Sequence, residues 1–301
     1  MRLIVTGAAG ILGSELITQT IRCDAQTEIL AVTREPQALA ARWQDCDRVK
    51  CCAWSELTPS FFEDGDIIVH GAFPRQEVGQ ELAQALALTS DLLKAAGMSG
   101  KKPAWICISS RSVYGQNPQT PWVETTPMMP ASLYAMAKAA QEVLTRQAAE
   151  VYGFPCTILR MAGLIGVGME ARLVSQMTMR AIRDRKLTVV GGTQQFSMLD
   201  IRDAAAGIRA LLKCPPSQWQ PLYNFGAEAP TLLRDIAPII QQEARRLYGW
   251  RIAIAHQEKD VSLIDEMDSS LFYAQTGWRP AYTLSDTVDQ LFAAYTKTIK
   301  G

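Results

Sequence analysis

The chain has 301 residues, a length that fits one large α/β domain or a nucleotide-binding domain with a smaller lobe attached. Its 30 lysines and arginines balance 30 aspartates and glutamates, so no general field attracts nucleic acid, and no apolar run reaches the roughly 18 residues of a membrane span. The seven cysteines form no C-x-x-C pair and none lies at ligand spacing from a histidine, which predicts reduced thiols, no metal site and a soluble, cytoplasmic protein.

Short β-rich runs alternate with helical patterns over the first 160 residues. The runs are apolar throughout, as expected of strands that are covered on both faces of a parallel sheet. This order predicts a doubly wound parallel sheet of the Rossmann kind. The predicted strands cover residues 2–6, 28–33, 48–52, 66–70, 103–109 and 156–160. The helical patterns between them include residues 11–22, 76–96 and 131–152.

The regular alternation fades after residue 160. Helical patterns at 171–185, 203–212, 231–247 and 284–300 mix there with short strands near 187–190, 222–225 and 251–255. We therefore expect a dinucleotide-binding domain over residues 1–165. A smaller α/β substrate-binding lobe follows over residues 166–301, with some return of the chain to the main domain.

A glycine-rich turn, G-A-A-G-I-L-G, follows the first predicted strand and opens the first helix. Its glycines permit a tight turn and close approach of the backbone to a pyrophosphate, while the helix N-terminus supplies amide donors. Alone, the G-x-x-G-x-x-G spacing also fits a simple packing turn, but its place between strand and helix favours a dinucleotide site. The residues predicted to contact the cofactor here are Gly7, Gly10, Ile11, Leu12 and Gly13.

The end of the second predicted strand bears on the choice of cofactor. An NAD enzyme usually has an acid there to hold the adenosine 2′-hydroxyl, but this chain has Thr33 followed by Arg34. A threonine does not repel a 2′-phosphate and the guanidinium attracts one, so we predict NADP, with NAD still open. In the alternative interpretation, Arg34 is a solvated cation that pairs with Glu35.

A Y-x-x-x-K pair, Tyr134 and Lys138, lies inside a helical pattern, which places both side chains on one face of the helix. The ammonium is a plausible means of lowering the tyrosine pKa of about 10. Alone, the pair also fits an ordinary helix surface. A serine segment that contains Ser110, however, follows the fifth predicted strand, at the sheet edge where the glycine turn also lies.

Together these segments resemble the extended short-chain dehydrogenase/reductases, a family of NAD-dependent epimerases, dehydratases and ketoreductases that act largely on nucleotide sugars. The similarity runs nearly end to end, through residues 6–13, 66–72, 109–115, 134–138, 159–160, 203–205, 223–226 and 277–280. It implies that Tyr134 exchanges a proton with the substrate, that Ser110 hydrogen-bonds the same oxygen, and that Lys138 holds the nicotinamide ribose and tunes the tyrosine. Further cofactor contacts are implied for His70, Gly71, Ala72 and Met161, although His70 also fits a purely structural histidine.

The sequence departs from the family at several positions. Dehydratase members carry an Asp-Glu pair where this chain has Arg111 and Ser112, so dehydration is disfavoured. Gly163 replaces an asparagine of the sugar-nucleotide epimerases. Phe196 and Ala85 likewise replace an arginine and another asparagine. Three arginines are candidates for holding a diphosphate in their place: Arg172, Arg180 and Arg202.

These observations favour an NADP-preferring ketoreductase that acts on a keto-sugar nucleotide or a related sugar. The alternatives are a nucleotide-sugar epimerase, or a catalytically silent NAD(P)-sensing protein that regulates partners. A sensor has no chemical need of Ser110, Tyr134 and Lys138 together, which argues against it. The family often dimerises through a four-helix bundle, which leaves a homodimer open for this chain.

Overall fold

We describe residues 1–75, 77–261 and 263–300 of a computed structural model, and only the backbone of residues 298–300. The strands are β1 (Arg2–Thr6), β2 (Glu28–Thr33), β3 (Val49–Ala53), β4 (Asp66–His70), β5 (Ala104–Ser110), β6 (Cys156–Met161), β7 (Gly163–Ile165), β8 (Lys186–Val190), β9 (Gln195–Phe196), β10 (Met198–Asp200), β11 (Leu222–Phe225), β12 (Thr231–Leu232) and β13 (Ala253–Gln257). The helices are α1 (Ile11–Cys23), α2 (Pro36–Ala40), α3 (Gly79–Met98), α4 (Leu133–Tyr152), α5 (Leu173–Asp184), α6 (Ile201–Leu212), α7 (Leu233–Tyr248), α8 (Ser270–Thr276) and α9 (Leu284–Lys300).

Seven strands form one parallel sheet in the order β11-β6-β5-β4-β1-β2-β3. The chain begins in the middle of the sheet, runs outward to β3, and then returns across β1 to the other side, which is the doubly wound order. The predicted fold class is thus confirmed, and each of the six predicted N-terminal strands forms within one residue of its expected bounds. Their apolar side chains are buried in two clusters, one on each face of the sheet.

The helix patterns of this domain also form, with ends that local chemistry explains. Helix α4 begins later than the predicted residue 131 because Ser132 caps it, its side chain accepting a hydrogen bond from the Ala135 amide. It ends at Gly153, which adopts the left-handed conformation with φ of 70°. Helix α3 begins at Gly79. The first residue of its predicted range, Gln76, lies outside the described residues.

The chain beyond residue 165 contributes to both parts of the molecule. Helices α5, α7 and α9 pack around a separate apolar cluster with the two-stranded parallel pair of β8 and β13. Strand β11, by contrast, extends the main sheet beside β6, and α6 packs on α1. The C-terminal half therefore builds a smaller lobe and also completes the nucleotide-binding domain.

Of the helices within the described ranges, none is both long enough and apolar enough to cross a membrane. All seven cysteines lie in the described part of the chain and carry free thiols.

A buried ion pair joins α4 to β6 below the carboxyl edge of the sheet. Glu142 accepts hydrogen bonds from the Arg160 guanidinium at 3.0 and 2.8 Å, and the two side chains are 0% and 3% exposed. Ser109, at the end of β5, donates a further hydrogen bond of 2.5 Å to the same carboxylate. This network connects three neighbouring elements at a place with no access for water.

We expect Glu142→Gln to lower the free energy of unfolding by about 3–5 kcal/mol, because it leaves the buried Arg160 charge without its counter-ion. The exposed pair of Lys101 and Asp64, also 2.8 Å apart, supplies the control. Asp64→Asn should change stability by at most about 1 kcal/mol. Urea unfolding of the three proteins measures both effects, and an equal change in the two variants would contradict the argument.

Candidate active site

The glycine turn packs its backbone directly against the segment that follows β4. Gly7 has φ of +73°, and a Cβ atom there would lie 2.9 Å from the Ala72 amide nitrogen. A Cβ atom on Gly13 would overlap the Gly7 carbonyl oxygen. The Gly10 amide donates to that same oxygen at 2.9 Å and closes the turn at the start of α1. The absence of side chains at these positions leaves room for a phosphate to approach the helix N-terminus.

A groove of about 750 Å³ runs along this edge of the sheet. Its wall includes every glycine-turn residue predicted to bind the cofactor, together with Thr33, Arg34, Gly71 and Ala72. Trp54 and residues 73–75 line it further on. The groove has the volume of a small-molecule site and the residues to hold a dinucleotide, with the glycine turn at its centre.

A smaller cavity of about 330 Å³ adjoins the groove where the second strand ends. Arg34 and Arg42 both line it, and Arg42 also donates a hydrogen bond to Ser14. Glu35 lines the same cavity, and among the described residues no carboxylate forms an ion pair with Arg34. The sequence did not predict a role for Arg42, because no motif marks its position after the second strand.

The predicted catalytic residues converge at the carboxyl end of β5. The Ser110 hydroxyl accepts hydrogen bonds from the Ser112 amide at 3.2 Å and the Ser112 hydroxyl at 3.0 Å. Tyr134, in the first turn of α4, lies close enough to Ser110 for the serine hydroxyl to act to lower the Tyr134 pKa. The ring of Phe73, from the groove wall, meets the Tyr134 ring edge-on at 6.2 Å between centroids. The Tyr134 ring thus lies beside the groove, on the helix that follows the Ser110 segment.

Tyr134 experiences opposing influences. Burial raises the pKa of its hydroxyl, while Ser110 and then the charges of Arg75 and Arg172 act to lower it. The hydroxyl is therefore held in its protonated form at neutral pH, with groups beside it that stabilise the anion formed when it gives up that proton.

Lys138 lies one helical turn after Tyr134 but faces the protein interior. Its Nζ donates to the Ile108 carbonyl at 2.7 Å and to Gln141 Oε1 at 2.9 Å, and it lies 4.0 Å from the centre of the Phe73 ring. Burial lowers the Lys138 pKa to about 8. The groups that act to lower the Tyr134 pKa in this structure are Ser110, Arg75 and Arg172, while the Lys138 ammonium donates to the β5 carbonyl, so its predicted tuning of Tyr134 stays a prediction.

His70 is 1% exposed and lies behind the groove wall, not on it. Nδ1 of its ring bonds the Thr6 hydroxyl at 2.8 Å, Nε2 bonds the Thr89 hydroxyl at 2.9 Å, and burial lowers its pKa to about 3. With both nitrogens engaged, His70 joins β1, β4 and α3, which corrects the expected cofactor contact. Met161, at the end of β6, is also buried, 3% exposed and in register with Ser110.

Of the three arginines proposed for a diphosphate, Arg172 alone acts electrostatically on Tyr134. Arg202 is held by Asp200 through a pair of hydrogen bonds of 2.8 and 2.7 Å. Arg180 is an exposed residue of α5. The structure adds Arg75 to the residues that line the groove. It also pairs Arg111 with the buried Asp265, a residue that is distant in sequence and belongs to no motif.

A parallel sheet with a glycine turn after its first strand defines a dinucleotide-binding α/β protein. A sequence model of the NAD dependent epimerase/dehydratase family matches residues 3–226, and the chain belongs to this family of enzymes.

The relatives of the chain are distant in sequence. It is 27% identical over 229 residues to UDP-glucuronic acid decarboxylase 6 of Arabidopsis thaliana. This alignment covers 71% of this chain and 66% of that protein. A dTDP-glucose 4,6-dehydratase of Streptomyces niveus is 25% identical over 239 residues, 70% of this chain and 69% of the relative. The alignments thus span about two thirds of these relatives' length.

Solved structures share the fold over the whole chain. UDP-glucuronic acid 4-epimerase from Bacillus cereus, in complex with NAD, superposes with a TM-score of 0.83 at 21% identity and covers 100% of both chains. RMD from Pseudomonas aeruginosa, complexed with NADPH, superposes with a TM-score of 0.76 at 20% identity, over 99% of this chain and 100% of that one.

The two histidines of the chain allow a test of the buried ring. Between pH 6.5 and about 3, the unfolded chain binds a proton at His70 that the folded chain does not. We therefore expect the free energy of unfolding to fall with falling pH, at up to about 1.4 kcal/mol per pH unit from this group. His70→Gln should lose that component, whereas the exposed His256→Gln should keep it. Urea unfolding at pH 4.5–7 measures the slopes, and equal slopes in both variants would count against the assignment.

Proposed function

We propose that this protein is an NADP-preferring ketoreductase that acts on a keto-sugar nucleotide or a related sugar. The observation that carries the proposal is a groove with a glycine-turn cradle, whose wall residue Phe73 contacts the ring of Tyr134, the residue whose pKa Ser110 acts to lower. Relatives and neighbours named for nucleotide sugars support the substrate class.

The residues around the groove fit a nicotinamide dinucleotide, because the glycine turn leaves a backbone cradle that a Cβ atom would fill. Gly7, Gly10 and Gly13 would border its pyrophosphate, and Lys138 would hold its nicotinamide ribose. When bound in reduced form, the cofactor supplies the hydride that a carbonyl carbon accepts.

Residues of the chain then bind and protonate the carbonyl oxygen. Ser110 orients this oxygen by a hydrogen bond, and Tyr134 donates the proton that turns it into a hydroxyl. Arg75 and Arg172 stabilise the tyrosinate that remains until solvent returns the proton. The raised pKa keeps the Tyr134 hydroxyl protonated at neutral pH, while Ser110, Arg75 and Arg172 act in the opposite direction and favour release of that proton.

The surroundings favour reduction over dehydration. Elimination of water needs an acid and a base, but the first position of the dehydratases' Asp-Glu pair holds Arg111, which is paired with Asp265. An epimerase returns its nicotinamide unchanged, whereas a reductase consumes one NADPH for each product. Absorbance at the NADPH wavelength, with a panel of keto-sugar nucleotides, tests the proposal. Product formation without net NADPH loss would identify an epimerase, and no reaction at all would favour the sensor.

We expect NADPH to bind more tightly than NADH, because Arg34 and Arg42 line the cavity beside the expected 2′-phosphate. Arg34→Ala and Arg42→Ala should each weaken NADPH by about tenfold or more, the cost of a lost charge-assisted hydrogen bond, and leave NADH unchanged. Fluorescence titration measures both affinities. Arg22→Ala, an exposed arginine at the end of α1, is the control. Tighter NADH binding by the intact protein would refute the preference.

Tyr134→Phe should lower turnover by at least about 10²- to 10⁴-fold and barely change the melting temperature, because it removes the proton donor but keeps the ring. Ser110→Ala should cost less, since the proton route remains. Lys138→Met should impair both NADPH affinity and turnover. Tyr282→Phe, an exposed tyrosine, is the matched control. A folded Tyr134→Phe protein with normal turnover on an accepted keto-sugar would overturn the mechanism.

A further inference from the structure

A line of buried hydrogen bonds leads from Lys138 on α4 to the end of β1, where the glycine turn begins. Nζ of Lys138 donates to Gln141 Oε1 at 2.9 Å, and Gln141 Nε2 donates to the Thr89 hydroxyl of α3 at 3.5 Å. The Thr89 hydroxyl bonds Nε2 of His70 at 2.9 Å, and Nδ1 of His70 bonds the Thr6 hydroxyl at 2.8 Å. None of these five residues is more than 3% exposed. The network therefore crosses the protein interior from the helix of Lys138 to the strand that precedes the glycine turn.

The donors and acceptors of this network fix the orientation of the Gln141 carboxamide. The Thr89 hydroxyl donates its single proton to the Ala85 carbonyl at 2.7 Å. Toward Gln141 and His70 it can therefore only accept, so it receives an N–H group from each of them. The Gln141 oxygen is then left to face the Lys138 ammonium, which has donors and no acceptor. A reversed carboxamide would set its NH₂ group against the ammonium and its oxygen against the Thr89 oxygen, so only one orientation is stable.

The Lys138 ammonium has three N–H groups, and neutral oxygens of the protein engage two of them. One donates to the Ile108 carbonyl at 2.7 Å and another to the Gln141 oxygen. The third is left for the side of the Phe73 ring, whose centre lies 4.0 Å from Nζ. Because Phe73 and Ile108 both line the groove, the two oxygens together direct the remaining N–H group toward the groove wall.

The charged and titratable groups near Lys138 come from α4, β5, β4 and the segment after β4. They are Glu142, Cys107, His70 and Arg75. Burial lowers the Lys138 pKa to about 8, while Cys107 and Glu142 act to raise it and Arg75 lowers it further. His70, with a pKa of about 3, is neutral in this range. The charged form of Lys138 near neutral pH therefore depends on the two neutral oxygens that accept its hydrogen bonds.

We propose that Gln141 is a positioning residue for Lys138. Held in one orientation by Thr89, its oxygen fixes the ammonium against β5 and leaves one N–H group for the ribose of a nicotinamide bound in the groove. A carboxamide suits this task, because it donates at one end and accepts at the other, whereas an apolar side chain does neither. The inference rests on the proposed function, which assigns the ribose to Lys138. The link between Gln141 and the ammonium can nevertheless be measured without cofactor or substrate.

Titration of Lys138 in the full chain without added cofactor measures that link. NMR of protein labelled with ¹³C-lysine follows the Lys138 Cε signal against pH, and Lys138→Met identifies the signal. Gln141→Leu should lower the Lys138 pKa by at least about one pH unit, because a hydrogen bond to a buried charge is lost. Gln141→Glu should raise it, because a carboxylate then faces the ammonium. Gln147→Leu and Gln147→Glu, at an exposed position of the same helix, are the matched controls and should leave the Lys138 pKa unchanged.

NADPH affinity, measured by fluorescence titration between pH 6.5 and 9.5, tests the part of the proposal that concerns the cofactor. In the unaltered protein the affinity should fall above pH 8, where the Lys138 ammonium loses its proton. At pH 7.5, Gln141→Leu should bind NADPH about tenfold less tightly or worse. At pH 9, Gln141→Glu should bind NADPH more tightly than the unaltered protein, because its ammonium keeps the proton. A merely structural role of Gln141 would not produce this gain.

A second variant covers the case in which Gln141→Leu does not fold. Thr89→Val keeps Gln141 and the volume of the threonine but removes the acceptor that orients the carboxamide. It should lower the Lys138 pKa in the same direction as Gln141→Leu, by a smaller amount.

Other results overturn the proposal. These are a Lys138 pKa that does not respond to the changes at Gln141 and Thr89, NADPH affinities that are equal in the Gln141 and Gln147 variants, or a Lys138→Met protein that binds NADPH as tightly as the unaltered one. None of these measurements uses a keto-sugar. Failure of the proposed reduction, which the keto-sugar assay detects, is therefore distinguishable from failure of the positioning role.

Discussion

The buried ion pair of Glu142 and Arg160 is the constraint on which the catalytic end of the sheet depends. The Glu142 carboxylate also accepts from Ser109, the residue before Ser110, and lies one helical turn after Lys138. It thus fixes the distance between the last residue of β5 and the helix that carries Tyr134. Because the pair is buried and hydrogen-bonded on both sides, it helps to position the ends of the elements that carry Ser110 and Tyr134, the predicted catalytic residues.

The site combines buried basic groups, whose pKa values are lowered, with exposed arginines. Burial lowers the pKa of both groups behind the groove, so that His70 is neutral at neutral pH, whereas Lys138, with a pKa of about 8, keeps most of its charge. The arginines on the open side keep theirs. The positive charges that act to lower the Tyr134 pKa are those of Arg75 and Arg172.

Local patterns were enough to predict the parallel sheet, its strands to within one residue at the N-terminal half, and the edge at which the site lies. The i, i+4 spacing placed Tyr134 and Lys138 on one helix, but it says nothing of the rotamer that turns the Lys138 ammonium toward the Ile108 carbonyl. His70 failed as a cofactor contact for a related reason. A residue at a strand end can face the groove or the layer behind it, and hydrogen bonds to Thr6 and Thr89 selected the second.

By itself, the sequence determined the fold and the chemical types at the site, because strand periodicity, glycine turns and helical spacing are local and act through the chain's own backbone. Only the tertiary structure decided which charges meet. Asp265 and Arg111 come together because the C-terminal segment returns to the sheet edge, and the charge of Arg172, from the segment before α5, acts on Tyr134. Such contacts depend on how the two parts pack, and no short-range pattern records that packing.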